Sequence, residues 1–157
     1  MQWRWARNLM ISFLLITLIG CGNDSALEPP TNQPNGDIDL TKISTNSSVS
    51  QHHANRAKEI LSHYQEITTV KAVNTDKHML IAIEIQHGKR FQLGKIREQL
   101  TKQMKKEFKD LKVELSTDKK IVMELEKLEK SIQSKSYSKK KLERKLKKLI
   151  EFSKEQT

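Results

Sequence analysis

The chain has 157 residues, with 29 Lys and Arg against 19 Asp and Glu, a formal net charge of +10. That length suits one small domain with extensions. A single Cys excludes a disulfide within the chain, and five Gly leave little room for an active site built from backbone.

The first segment reads as an address. Arg4 and Arg7 precede an apolar run from Leu9 to Ile19, and a small residue, Gly20, follows it. Basic head, apolar middle and small residue are the layout of a secretory signal. The run has 11 residues, whereas a membrane-spanning helix needs about 20. Residues 1–20 are therefore expected to be removed rather than to stay as an anchor. Leu18-Ile19-Gly20-Cys21 resembles a bacterial lipobox. The resemblance implies that the Cys21 sulfur receives a diacylglycerol, that the chain is cut before it, and that the protein is exported and held to a membrane by lipid. The mature chain would keep 137 residues and a formal charge of +8, and would lose both tryptophans, Trp3 and Trp5.

Residues 21–48 hold Pro29, Pro30, Pro34 and Gly36 among many Asn, Ser and Thr. Ile38, Leu40 and Ile43 show no usable period, so the segment is expected to be a flexible tether of roughly 30 Å mean span.

The folded part is expected over residues 49–134. Ser50 is a fair N-cap for a first helix, whose apolar face is Ala54, Ala57, Leu61 and Tyr64. Ile67 to Asn74 is rich in β-branched residues and reads as a strand. Asn74-Thr75-Asp76-Lys77 is a polar turn. His78 to His87 alternates, with Met79, Ile81, Ile83 and Ile85 on one face and Leu80, Ala82, Glu84 and Gln86 on the other. Turn and alternation predict a hairpin. Leu93, Ile96, Leu100, Met104 and Phe108 make the clearest amphipathic helix. Leu111, Val113 and Leu115 predict a third strand, joined to the sheet by a crossover. Ser116-Thr117-Asp118 offers another N-cap before a helix with Ile121, Leu125, Leu128 and Ile132 on one face. Ser134 to Ser138 interrupts the pattern. Leu142, Leu146, Leu149 and Ile150 resume it in a basic C-terminal helix over residues 135–157. The order predicts an α+β fold: α-β-β-α-β, then two helices around a small three-stranded sheet. One sheet face is expected to carry helices and the other to be partly exposed, as a place for partners or copies of the chain.

Lipobox, polar tether and α-β-β-α-β module together resemble the YhcN/YlaJ family of sporulation lipoproteins from endospore-forming bacteria. The likeness covers roughly residues 49–152. It rests on Ala57-Lys58-Glu59-Ile60-Leu61, on Val70 to Asp76 running into Met79-Leu80-Ile81-Ala82-Ile83, on Lys112 to Asp118, and on Val122-Met123-Glu124-Leu125. The module is also similar to ring-building and BON-type domains, which are assembly or membrane-associated units. The family implies a protein at a spore membrane with a part in spore formation or germination and no assigned chemistry. The Lys-rich C-terminal helix departs from the family pattern.

The strongest cluster of functional side chains is basic: Lys135, Lys139, Lys140, Lys141, Arg144, Lys145, Lys147 and Lys148, against Glu143 alone. Such a helix can contact anionic lipid or an acidic wall polymer, each basic residue near an anionic bilayer contributing about 1 kcal/mol. It can equally be a solvated helix whose Leu face caps the core. Few aromatics are interleaved with the charges, so nucleic acid is not an expected partner. His52, His53, His63, His78 and His87 lack a chelating spacing, and no GxSxG or HExxH motif occurs. The expectation is a non-enzyme with no cofactor and no metal. Two functions remain. One is a lipid-tethered interaction module for spore-envelope proteins or for itself. The other is a membrane-surface or wall-polymer binder acting through the basic helix.

Overall fold

A computed structural model describes residues 26–36, 38, 42, 43, 49–134 and 138–155. In chain order the elements are α1 (His52–Ser62), β1 (Ile67–Asn74), β2 (His78–Ile85), a 3-10 turn (His87–Gln92), α2 (Leu93–Glu107), β3 (Lys112–Ser116), α3 (Lys119–Ser134) and α4 (Lys139–Glu155). The sheet order is β1-β2-β3. β1 pairs antiparallel with β2, and β3 pairs parallel with β2 through the α2 crossover. This is the expected α+β arrangement.

Both faces of the sheet are covered, which corrects the expectation of an open face. Met79, Ile81, Ile83 and Ile85 of β2 join Ala54, Ala57 and Leu61 of α1 and Ile96, Leu100 and Met104 of α2 in one core. Leu80 and Ala82, on the opposite pleat, join Ile121, Leu125 and Leu128 of α3 and Leu142, Leu146 and Leu149 of α4 in a second. The apolar faces of the last two helices need a surface to bury, and the second sheet face supplies it. β2 is thus a central strand, apolar on both sides along most of its length.

Register explains a spacing that alternation does not. Ile67 and Val70 are three apart, yet both enter the first core. The pairing shifts between Ile67↔Ile85 and Thr69↔Glu84, so a β-bulge turns the strand by one extra residue.

Capping of α1 is shared: the expected Ser50 accepts from the His52 N–H through Oγ at 3.4 Å, one residue before the cap position. Gln51 occupies the cap position and makes no side-chain cap bond. The Ala54 N–H donates instead to Asn74 Oδ1 at 3.0 Å. Gln51 returns the contact: its Oε1 accepts from the Asn74 N–H at 3.1 Å, and its Nε2 donates to the Asn74 carbonyl at 2.8 Å. The helix start is buried against the end of β1, so a polar strand residue satisfies donors that water cannot reach. Asp118 and Ser138 begin α3 and α4 as local caps, accepting from the N–H of Lys120 at 2.6 Å and of Lys141 at 3.4 Å.

The described part of residues 21–48 is not a free tether. The Thr31 and Asn35 N–H groups donate to the carbonyls of His63 and Ser62 at 2.9 and 2.7 Å. Asn55 clasps the Ile43 backbone through both amide atoms, at 3.0 and 2.9 Å. Ala26, Ile38 and Ile43 are buried. Ala26 and Ile38 enter the first core and Ile43 the second, so apolar residues without a period still find places on the domain.

Candidate functional site

α4 is positioned by its apolar face and by two contacts to α3. Leu142, Leu146, Leu149 and Ile150 are buried in the second core. Lys145 Nζ lies 3.1 Å from Glu124 Oε2, and Lys120 Nζ sits 4.5 Å from the Phe152 ring centroid. Hydrogen bonds from Lys127 and Lys145 outweigh burial and hold the Glu124 carboxyl below its ordinary value. With its Leu face committed to the core, α4 has no apolar surface to lay into a bilayer, and any lipid contact it makes must be by charge.

Two groups of basic residues follow from this docking. Lys140, Arg144 and Lys148 recur at steps of four along the exposed side, so they form one row about 12 Å long. None of the three has a carboxylate partner among the described residues. Lys141 flanks the row and is exposed.

The second group meets the β1–β2 turn. Asp76, Lys77, Lys139, Lys140, Glu143 and Lys147 line a cleft there. Lys139 pairs with Asp76, and Lys147 Nζ lies 3.4 Å from Glu143 Oε1. His78 Nδ1 lies 3.0 Å from the same Glu143 oxygen. Burial pushes the Glu143 carboxyl up, but hydrogen bonds from Thr75 and Lys147 and the charges of His78 and Lys147 bring it below its ordinary value. Three lysines, Lys139, Lys140 and Lys141, occupy the first turn of α4, which has no acidic residue. The N-terminal end of a helix dipole is already positive, so this placement disfavours the isolated helix and favours a bound anion. Four lysines around two carboxylates leave the cleft with an excess of positive charge.

Of the sequence-derived site residues, Lys139, Lys140, Lys141, Arg144, Lys147 and Lys148 are exposed on α4, and Lys145 is half-buried and engaged with Glu124. Lys135, Leu18, Ile19, Gly20 and Cys21 lie outside the described residues.

The histidines are dispersed. His52 and His53 are exposed, His63 Nδ1 lies 2.9 Å from the Thr31 carbonyl, and His78 belongs to the cleft. Among the described residues no three His, Cys, Asp or Glu come together as metal ligands. None of the described helices is long and apolar enough to cross a membrane.

Sequence reasoning missed the buried pair Lys58–Glu129, 3.2 Å apart with side chains 3% and 4% exposed. Lys58 comes from α1 and Glu129 from α3, so the pair joins the two helical layers around the β1 edge. Glu129 Oε1 also accepts the outward N–H of Ala72 at 2.9 Å. Burial raises the Glu129 carboxyl above its ordinary value, against the pull of Lys58 and the Ala72 N–H. A signal was present: Glu129 follows Leu128 and sits between Leu125 and Ile132 on the apolar stripe. With the Gln51–Asn74 contact, the pair occupies backbone groups of Ala72 and Asn74 and hinders strand addition at that end of β1.

No protein-family model, curated protein or solved structure matches the chain.

Proposed function

We propose that this protein is a lipid-anchored, non-catalytic interaction module, exported and tethered through Cys21, whose α4 face holds an acidic partner by charge. The observation that carries the reading is the row Lys140, Arg144 and Lys148 beside the Lys-lined cleft at the start of α4. The burial of the Leu face argues for electrostatic docking rather than insertion. The lipobox resemblance supports the anchor, and the resemblance to the YhcN/YlaJ lipoproteins supports a spore membrane as the place of action. The acidic partner is a spore-envelope protein or a wall polymer. The second reading, anionic lipid beneath α4, draws on the same charges.

Binding of a chain starting at Gly22 separates these. That chain keeps Ala26, Ile38 and Ile43, which are buried on the domain. It is expected to bind an acidic polymer at low ionic strength and to release it as salt rises past about 0.15 M, where the Debye length is near 8 Å. Replacing Lys139, Lys140, Lys141, Lys147 and Lys148 with Gln should abolish that binding with the fold intact. Vesicles rich in phosphatidylglycerol that compete fully with the polymer would favour the second reading. Binding that is salt-independent, or unchanged in the Gln variant, would reject both.

A further inference from the structure

The end of the sheet opposite the α4 cleft carries an exposed aromatic residue. Phe91, in the 3-10 turn after β2, is 80% exposed. A lone exposed apolar side chain needs no explanation by itself. Its surroundings give this one a meaning. Lys89 and Arg90 precede it, and Arg90 and Lys119 line one groove with His87. The carboxylates at this end are engaged. Glu28 pairs with Lys89 at 3.1 Å, Glu66 is buried under the Glu28 N–H at 2.6 Å, and Glu84 accepts from Thr69 at 3.0 Å. Against the cations Lys89, Arg90 and Lys119 stand the outward carboxylates Glu28 and Glu84, so Glu28 offsets Lys89 and the tip keeps one cation in excess.

The same contacts fix where the chain enters the domain. Glu28 is held to Glu66 and to Lys89, and Gln86 donates its N–H to the Glu66 carbonyl at 2.8 Å. Ala26, the first described residue, is buried in the core on the α1–α2 side. Cys21 precedes it by five residues, a reach of at most about 18 Å. The α4 cleft is at the other end of β2, beside His78, an eight-residue strand or about 23 Å away.

We propose that the turn His87–Gln92 is the membrane-facing end of the molecule, with Phe91 seated in the headgroup region of an anionic bilayer and Arg90 on its phosphates. The inference rests on the lipid anchor of the preceding section and adds an orientation to it. An aromatic ring beside a cation suits the water–lipid boundary, where the ring leaves water and the charge meets phosphate. The cleft at the start of α4 then points away from the bilayer, toward partners beyond it.

Cleavage before Cys21 removes Trp3 and Trp5, so Phe91→Trp would give the mature protein a sole tryptophan reporter. The full chain bearing Phe91→Trp is purified from membranes, checked for acyl mass, and placed in phosphatidylglycerol/phosphatidylethanolamine vesicles with brominated acyl chains. Its emission is expected to shift to the blue and to lose most of its intensity to the bromolipid, whereas a Lys140→Trp chain stays water-like and unquenched. Both positions are exposed, so folding is not at stake. An acylated protein with unquenched Phe91→Trp, or with Lys140→Trp quenched in its place, overturns the orientation and leaves the anchor standing. A protein without acyl mass overturns the anchor, and the orientation with it.

Discussion

At the residue scale, the Lys58–Glu129 pair carries the sharpest consequences. Removing one partner strands the other charge in a site closed to water, and breaking such a pair costs about 3–5 kcal/mol. Glu129→Leu should therefore cost about that much in denaturant unfolding. Adding Lys58→Met should recover part of it, with a residual loss of about 1–3 kcal/mol for the orphaned Ala72 N–H. A single variant as stable as the parent would show that the pair is not closed. The two perturbed carboxylates act in opposite directions with pH. Glu143 lies below its ordinary value, so the unfolded chain binds its proton first. Its contribution is full above about pH 5 and is lost as pH falls through the lowered folded value. Glu129 lies above its ordinary value, so its contribution is full below about pH 4 and is lost as pH rises through the raised one. Unfolding midpoints followed by pH should fall less on acidification in Glu143→Gln than in the parent. An unchanged pH profile in that variant would remove Glu143 from the account.

At the element scale, β2 holds the two cores together. Ile83 is fully buried in the first core, and Leu80 in the second. Ile83→Asp places an unpaired charge there and should abolish cooperative unfolding at 25 °C. Lys139→Ala, on the exposed side of α4, should change stability by less than about 0.5 kcal/mol. A melting curve for Ile83→Asp that overlays the parent would refute the central position of β2. The strands and helices themselves were legible because period is a local property: Ile96, Leu100 and Met104 declare α2 without help from any neighbour. The covered second face was harder to read. The alternation of β2 shows Leu80 and Ala82 opposite the Ile face, and the Leu faces of α3 and α4 seek a surface, but meeting one another is a tertiary event. Capping of α1 was legible only in part for the same reason: Ser50 is local to the His52 N–H, but the acceptor for Ala54, Asn74, lies 20 residues beyond it. Most of the basic face of α4 was legible from the run of lysines, although Lys145 turns to Glu124 instead of the open face. The cleft it forms with Asp76 and Lys77 was not, because the turn and the helix are more than 60 residues apart in sequence.

At the scale of the whole molecule, charge and attachment are arranged on a long axis. The chain enters the domain beside the 3-10 turn, within about 18 Å of Cys21, and the α4 cleft lies at the far end of β2. A lipid anchor at Cys21, as proposed, would set which surface is near lipid and which is offered to the compartment. All of this depends on Cys21. Mass spectrometry of the protein extracted from membranes tests it most directly. The account predicts a chain beginning at Cys21 with a diacylglycerol on its sulfur. It also predicts that Cys21→Ser leaves an uncut precursor or a protein released from the membrane. A wild-type protein with Met1 intact and no acyl mass would contradict it.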